Sequence, residues 1–134
     1  MTRILLVEDD AAQLKRLQEF LQGELTDCEF IGAGNLRGAK DRIQQLRAFS
    51  LVIADYQLPD GTGYDLLEYC QGRLTNVPFI IITAFGKHEA KEVRAARSLQ
   101  KGAFDFWNKS TGQDDLDELV ERIKHALKIG EALA

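Results

Sequence analysis

The sequence has no hydrophobic run that approaches the roughly 20 residues needed for a membrane-spanning helix. It also lacks the architecture of a signal peptide, because Met1 to Ile4 lead at once into a predicted strand. No linker, low-complexity segment or long internal repeat is present. These absences predict a cytoplasmic protein that has no membrane partner.

Cysteine and basic charge are also scarce. Cys28 and Cys70 form no Cys-x-x-Cys motif and have no nearby histidine, so we expect buried free thiols in a reducing compartment. His88 and His125 are isolated, and we expect both at solvated helix positions. The 17 Lys and Arg against 21 Asp and Glu give a net charge of −4, which argues against direct nucleic-acid binding.

What is present is a regular alternation of apolar runs with amphipathic helical segments. At 134 residues and 45% hydrophobic content, the chain is expected to form one domain over residues 1–134. The near-continuous apolar runs indicate strands buried on both faces, hence an α/β fold with a parallel sheet between helical layers. We predict strands at about 4–7, 28–31, 51–54, 79–82 and 103–107, with residues 32–34 ending the second, and helices at about 11–23, 36–46, 87–100 and 116–127. The turn residues at 59–63 lead into a further short helix, which begins at Thr62 or Gly63 and extends to Cys70.

Four of the apolar runs lead into chemically active residues at their C-terminal ends. The first leads into Glu8, Asp9 and Asp10, and the third into Asp55. The two that follow lead into Thr83 and Lys109. Because ligands of open α/β sheets bind at the carboxyl ends of the strands, these side chains are expected to form a site.

The chemistry of these residues favours a hard cation and a phosphoryl group. Clustered carboxylates repel one another unless a cation lies among them, and oxygen-only ligands suit Mg²⁺. Thr83 and Lys109 suit contacts to phosphoryl oxygens. No Gly-rich phosphate-binding loop follows the first strand, so a phosphoryl group carried covalently on a carboxylate is the better prediction.

The chain resembles a response-regulator receiver domain over nearly its whole length. The motifs that carry the resemblance are 4–10, 52–63, 81–84 and 102–109, and their specificity lies in their occurring together and in order. The resemblance implies a flavodoxin-like (βα)5 sandwich with strand order 2-1-3-4-5. It also implies a signalling switch of a two-component system, which turns over no external substrate.

Roles for individual residues follow from the same resemblance. It implies that Asp55 is the phosphoacceptor and that Asp9 binds Mg²⁺ directly. Glu8 would act through water, and the main-chain carbonyl of Gln57 would complete the protein ligands. Asp10 is usually acidic in the family but less often a ligand, and one residue of this acidic run is also expected to cap the helix that begins near Ala11.

The resemblance further implies a phosphate-sensing set and a group of partners. Thr83 and Lys109 would hold the phosphoryl oxygens, and Phe106 would be the aromatic that changes rotamer with Thr83. The phosphoryl donor would be a sensor histidine kinase or a histidine phosphotransfer protein. Output would pass to a downstream protein or effector domain, and a homodimer is possible.

Two departures from the family pattern stand out. The family usually has proline after the conserved lysine, often with a cis bond, whereas Ser110 follows Lys109 here. Since a non-proline cis bond costs about 2.5–4 kcal/mol, we expect a trans bond. The interval from Thr83 to Lys109 is also longer than usual by about one helical turn between Gly86 and Gly102, which predicts an altered output surface.

Three other functions stay open at this point. A phosphorylation-independent docking module on the same fold is the main alternative; the complete acidic, Thr and Lys set argues against it, whereas Ser110 keeps it open. A phosphohydrolase with an aspartyl nucleophile would have a second Asp two residues on, where Gln57 stands. A flavodoxin-like flavin protein is disfavoured by the acidic first loop. Simple structural roles also exist, with Asp55 as a turn residue and Phe106 as core.

Overall fold

A central five-stranded parallel sheet organises the chain. The computed structural model describes residues 2–74, 76–83, 105–108 and 113–133. The sheet contains β1 (Thr2–Val7), β2 (Cys28–Ala33), β3 (Leu51–Asp55), β6 (Phe79–Thr83) and β7 (Asp105–Asn108). A small antiparallel hairpin contains β4 (Gln57–Leu58) and β5 (Gly61–Thr62). The described helices are α1 (Ala11–Glu24), α2 (Leu36–Leu46), α3 (Gly63–Cys70) and α4 (Gln113–Leu133).

The strand order of the sheet is β2-β1-β3-β6-β7, and all its pairings are parallel. With the hairpin set aside, this is the order 2-1-3-4-5. The predicted flavodoxin-like α/β fold is therefore confirmed. The order reverses direction beside β1, and the ends of β1 and β3 accordingly lie next to each other at the edge where ligands bind in such sheets.

Strand periodicity divides the core into two layers. Every residue of β3 is buried. Val52 and Ala54 pack on one face of the sheet with residues of α2 and α3, whereas Leu51 and Ile53 pack on the other with residues of α1 and α4. The alternation follows from the two-residue period of a strand, and it explains why a continuous apolar run is needed when both faces are covered.

The first helix is capped as expected. Asp10 is the N-cap of α1, and its Oδ1 accepts hydrogen bonds from the N–H groups of Ala12 at 2.9 Å and Gln13 at 3.1 Å. One residue of the acidic run therefore serves the helix, as predicted. A short polar side chain at this position satisfies backbone donors that the first helical turn leaves without intrahelical partners.

The predicted end of the second strand was wrong by two residues. Gly32 and Ala33 were expected to terminate it, yet both belong to β2 and continue the register with Leu6 and Val7 of β1. Packing explains the difference. A Cβ atom at Gly32 would lie 2.9 Å from Nε2 of Gln18, so the glycine lets α1 lie close against the strand rather than ending it.

Both cysteines are buried and free, in agreement with the sequence analysis. Burial raises the pKa of the Cys70 thiol to about 12. Burial also raises the pKa of Cys28, and the neighbouring Asp27 carboxylate adds to the effect. Both thiols are therefore protonated at neutral pH, which suits core packing rather than reactivity.

Some predictions concern residues outside the described ranges. They include His88, the helix expected at 87–100 with its extra turn, and the trans bond between Lys109 and Ser110. The exposed position of His125 on α4 agrees with the expectation for it. Among the residues that the structure describes, no helix has the length and apolar character needed to cross a membrane.

Candidate metal centre

Three carboxylates meet at the carboxyl edge of the sheet. Glu8 and Asp9 follow the last residue of β1, and Asp55 is the last residue of β3. One carboxylate oxygen from each of the three lies within 4.8 Å of the others. Glu8 and Asp55 are each only 7% exposed, whereas Asp9 is exposed. The structure thus brings together the three acidic side chains that the strand ends predicted.

Backbone contacts hold the first loop in place. The Glu8 N–H donates to the carbonyl of Ala33 at 3.0 Å, so the β1 pairing with β2 continues one residue beyond the strand. The Asp10 N–H donates to Oε1 of Glu8 at 3.2 Å. The acidic run therefore has divided roles, because Glu8 and Asp9 contribute to the carboxylate group and Asp10 caps α1.

This arrangement fits a hard divalent cation. Two buried carboxylates and a third beside them place several negatively charged oxygens within reach of one ion. All the donors are oxygens, which is the ligand type that Mg²⁺ prefers. The group also retains an exposed member in Asp9, and a bound Mg²⁺ typically keeps several waters.

The connection from β3 to α3 lies tightly against Asp55. The Tyr56 N–H donates to the carbonyl of Ile82 at 2.6 Å, and the Gly63 N–H donates to the carbonyl of Tyr56 at 2.9 Å. A Cβ atom at Gly63 would lie 2.9 Å from the carbonyl oxygen of Asp55 and 2.9 Å from Cδ1 of Ile81. Glycine is therefore required at position 63 by space.

Helix α3 begins as the turn chemistry predicted. Thr62 is its N-cap, and its Oγ1 accepts a hydrogen bond from the Asp65 N–H at 3.2 Å. Oδ2 of Asp65 in turn accepts one from the Thr62 N–H at 3.0 Å. This reciprocal capping box fixes the start of the helix directly after the hairpin that carries Gln57. Gln57 itself lies on β4, where it is exposed.

The backbone brings the C-terminal ends of β6 and β7 to the same edge of the sheet. Asp55 is paired with Ile82, and Thr83 follows as the last residue of β6. Thr83 is paired with Asn108, the residue before Lys109. Phe106 lies in the middle of β7. Lys109 and the side chains of Thr83 and Phe106 lie outside what the structure describes, so their roles stay predictions.

Asp60 is a residue whose role the sequence analysis missed. Its Oδ1 accepts a hydrogen bond from the Leu36 N–H at 2.7 Å, and its Oδ2 accepts one from the Arg37 N–H at 3.0 Å. Burial acts to raise the pKa of Asp60, but these two N–H groups and the charge of Lys40 outweigh it and lower the pKa below its ordinary value. Its place in a Pro-Asp-Gly turn was visible, but its distant partners were not.

Arg122 of α4 was also missed. It donates to Oδ1 of Asp105 on β7 at 2.5 Å and to Oε1 of Glu118 at 2.7 Å. The four-residue spacing of Glu118 and Arg122 on a helix could have indicated their pairing. The bond to Asp105 joins the last helix to the strand that precedes Lys109.

A family comparison identifies the class of protein. Residues 4–121 match the model of the response regulator receiver domain. The chain belongs to this family. Its signalling context is therefore that of two-component systems.

An individual sequence relative supports the family assignment. The response regulator protein PilR of Pseudomonas aeruginosa is 33% identical over 124 residues, which cover 92% of this chain and 26% of that protein. The chain thus spans about a quarter of the length of that relative.

Solved structures show the same fold. A CheY-like response regulator receiver domain protein of Methanospirillum hungatei JF-1 superposes with a TM-score of 0.84 at 27% identity, and the match covers 100% of this chain and 99% of that one. The non-phosphorylated HemR receiver domain of Leptospira biflexa superposes with a TM-score of 0.77 at 31% identity. That match covers 95% of this chain and 94% of the HemR chain.

Proposed function

We propose that this receiver domain is a phosphoacceptor switch that takes a phosphoryl group onto Asp55. The observation that carries the proposal is the meeting of Glu8, Asp9 and Asp55 within 4.8 Å, with Asp55 at the end of the central strand β3. A carboxylate that is to react with a phosphoryl group needs its negative charge balanced, and this group of oxygens suits a cation that can do so.

The proposed transfer moves a phosphoryl group from a histidine nitrogen to a carboxylate oxygen. A carboxylate oxygen of Asp55 attacks the phosphorus of a phosphohistidine, and a P–O bond forms as the P–N bond breaks. The imidazole of the donor leaves with the bonding electron pair and carries a proton taken from solvent. The product is an acyl phosphate on Asp55, and its later hydrolysis by water restores the carboxylate and releases inorganic phosphate.

In this proposal the residues of the first loop and the hairpin hold Mg²⁺. Asp9 and Asp55 would bind it directly, Glu8 through water, and Gln57 through its main-chain carbonyl. When bound, the ion supplies positive charge that stabilises the negative charge on the transferring group. The closeness of one carboxylate oxygen from each of Glu8, Asp9 and Asp55 supports this assignment, because Mg²⁺ prefers oxygen ligands.

The remaining residues of the proposal sense the phosphoryl group. Thr83 would donate a hydrogen bond to one phosphoryl oxygen, and Lys109 would pair with another. A phosphoryl group adds about −1.5 to −2 of charge at neutral pH by analogy with other phosphoresidues, enough to draw in both groups. Phe106 would change rotamer with Thr83 and so alter the surface near β7.

The proposed partners follow from this chemistry. A sensor histidine kinase or a histidine phosphotransfer protein would supply the phosphoryl group, in the cytoplasm. A downstream protein or effector domain would read the changed surface, without direct contact of this domain to nucleic acid or membrane. The domain would carry out only its own phosphorylation and dephosphorylation, and would act on no external metabolite.

The test is direct phosphorylation. The protein is incubated with a small acyl-phosphate donor and Mg²⁺, and its intact mass is followed by mass spectrometry. The expected result is a gain of one phosphoryl group that is lost in Asp55→Asn and when a chelator removes Mg²⁺. Asp41→Asn, which removes an exposed carboxylate on α2, is the matched control and should be phosphorylated normally.

A contrary result has a clear meaning. If the wild-type protein gains no phosphoryl group, or if Asp55→Asn gains one equally well, the phosphoacceptor function is refuted. The phosphorylation-independent docking module would then be the better account of this fold.

A further inference from the structure

The hairpin that carries Gln57 needs support from outside itself. Each of its strands, β4 and β5, has only two residues, and isolated two-stranded hairpins are marginally stable at best. At its base, the hydrogen bond from the Gly63 N–H to the Tyr56 carbonyl holds the two ends together. Its far end is held by a different contact, which involves a second element of the fold.

That contact is the pair of hydrogen bonds from α2 to Asp60. The N–H groups of Leu36 and Arg37, the first two residues of α2, donate to the two oxygens of the Asp60 carboxylate at 2.7 and 3.0 Å. Helix α2 also has a local cap, because Oδ1 of Asn35 accepts from the Gly38 N–H at 2.6 Å. The helix start is therefore satisfied by two side chains, one adjacent and one 24 residues away.

Packing at the same place brings the hairpin and the helix into close contact. A Cβ atom at Gly61 would lie 2.6 Å from Cδ2 of Leu36 and 2.9 Å from Oδ2 of Asp65. The backbone of the hairpin turn thus lies directly on the first residue of α2. Leu36 and Leu58 are both buried in the core layer beneath it.

The start of α2 is itself tied to the acidic loop. Helix α2 follows β2 after two residues, and the last residue of β2, Ala33, accepts the hydrogen bond from the Glu8 N–H. A continuous series of contacts therefore runs from Glu8 through the end of β2 to Leu36, and from there through Asp60 to the hairpin. The first step is a backbone hydrogen bond, the second is the two-residue link from β2 to α2, and the third is the pair of hydrogen bonds that the Asp60 carboxylate accepts.

We propose that Asp60 is a positioning residue for Mg²⁺ binding. It ties the hairpin to α2 and so fixes the segment that carries Gln57 relative to Glu8, Asp9 and Asp55. The proposal rests on the proposed function, since it concerns the same metal site. By thermodynamic reciprocity, bound Mg²⁺ should in turn stabilise the hydrogen bonds that Asp60 accepts.

The experiment compares two caps of the same helix. Asp60→Ala removes the hydrogen bonds between the hairpin and α2. Asn35→Ala removes the local cap and leaves those hydrogen bonds in place. Mg²⁺ binding to each full-length variant is measured by isothermal titration calorimetry, and folding is checked by urea denaturation with the fluorescence of Trp107. Both variants should unfold at a lower urea concentration than wild type, because each leaves helix N–H groups without a partner.

Only Asp60→Ala should weaken Mg²⁺ binding. We expect its Kd to rise about 3- to 10-fold, below the 10- to 100-fold typical of residues that directly support a metal ligand, because Asp60 acts through the hairpin. The Kd of Asn35→Ala should stay within about twofold of wild type. Asp60→Asn, which keeps one oxygen acceptor, should fall between wild type and Asp60→Ala, and it serves if the alanine variant fails to fold.

Amide hydrogen exchange in the wild-type protein gives a second readout. Saturating Mg²⁺ should slow the exchange of the Leu36 and Arg37 N–H groups, which donate to Asp60. The Gly38 N–H, which donates to Asn35, should change less. A purely structural cap would produce no such difference between neighbouring amides of one helix.

The outcomes separate the two proposals. Normal Mg²⁺ binding by wild type, with equal affinities in the Asp60 and Asn35 variants, would show that Asp60 only caps α2 and would overturn the positioning role. Absence of Mg²⁺ binding by wild type would overturn the proposed metal site and the positioning role together. A selective loss in the Asp60 variants, with selective protection of Leu36 and Arg37, supports the proposal.

Discussion

The close approach of Gly63 to Asp55 makes a sharp prediction about Gly63→Ala. The new Cβ would lie 2.9 Å from the Asp55 carbonyl oxygen and 2.9 Å from Cδ1 of Ile81, both closer than real Cβ contacts. Ile81 is fully buried and the other atom belongs to the backbone, so neither neighbour can move freely. Overpacking of this kind costs about 1–3 kcal/mol of unfolding free energy.

Gly23→Ala is the matched control. Gly23 lies in α1, and no atom lies within 4 Å of the position that its Cβ would take. Here the substitution should stabilise the protein by about 0.5 kcal/mol, because alanine loses less backbone entropy in a helix. The unfolding free energies of the two glycine variants should therefore change in opposite directions and differ by about 1.5–3.5 kcal/mol.

Two assays check this prediction. Urea denaturation followed by the fluorescence of Trp107, the only tryptophan of the chain, gives the free energies of unfolding. Calorimetric titration gives the Mg²⁺ affinity, which should weaken in Gly63→Ala, since the strain falls on the backbone of Asp55, and stay unchanged in Gly23→Ala. If Gly63→Ala is as stable as Gly23→Ala and binds Mg²⁺ normally, the reasoning is refuted.

Three further predictions concern stability. Asp10→Ala should lower the unfolding free energy by about 1 kcal/mol in urea denaturation, whereas Asp10→Asn, which can still cap α1, should not. Arg122→Gln should cost about 1 kcal/mol through its lost bonds to β7 and α4, whereas Lys124→Gln, at an exposed 3.6 Å ion pair, should cost under about 0.5. Burial raises the pKa of Cys70 to about 12 from 9.0, so the unfolded chain loses this proton at a lower pH than the folded protein does. The contribution of Cys70 to the unfolding free energy is therefore complete below pH 9 and decreases as pH rises, by about 1 kcal/mol at pH 10. Urea denaturation at pH 7 and pH 10 should show a larger decrease in wild type than in Cys70→Ala, which retains the buried Cys28.

Much of the fold could be predicted from residue patterns alone. The continuous apolar run at Leu51–Ala54 indicated a strand covered on both faces, and all of β3 is buried. The meeting of the carboxylates also followed, because parallel strands present their carboxyl ends at one edge. The order of the strands, in contrast, came from the family resemblance, since periodicity says nothing about which strands are neighbours.

The parts that could not be predicted depend on contacts between distant residues. Gly32 was interpreted as a strand end because glycine often interrupts strands, but its role depends on where α1 packs. The hydrogen bonds of Asp60 join positions 24 and 23 residues apart, and no local pattern encodes them. The turn at Asp60 was correctly expected but the strand end at Gly32 was not, and in both cases a tertiary contact decided the role of the residue.

The cluster of three carboxylates, from Glu8, Asp9 and Asp55, shows where stability and function oppose each other in this fold. Strands β1 and β3 place apolar residues throughout the core, yet Glu8, directly after β1, and Asp55, the last residue of β3, are buried acidic side chains beside a third. Acidic side chains are seldom buried this deeply, so a sequence chosen for core packing alone would not place them there. Backbone hydrogen bonds, from the Glu8 N–H to the Ala33 carbonyl and from the Tyr56 N–H to the Ile82 carbonyl, hold the strand ends in place. A cation that binds the three carboxylates of the folded protein would stabilise the folded state. The local order of the strand ends would then depend on whether the metal is bound.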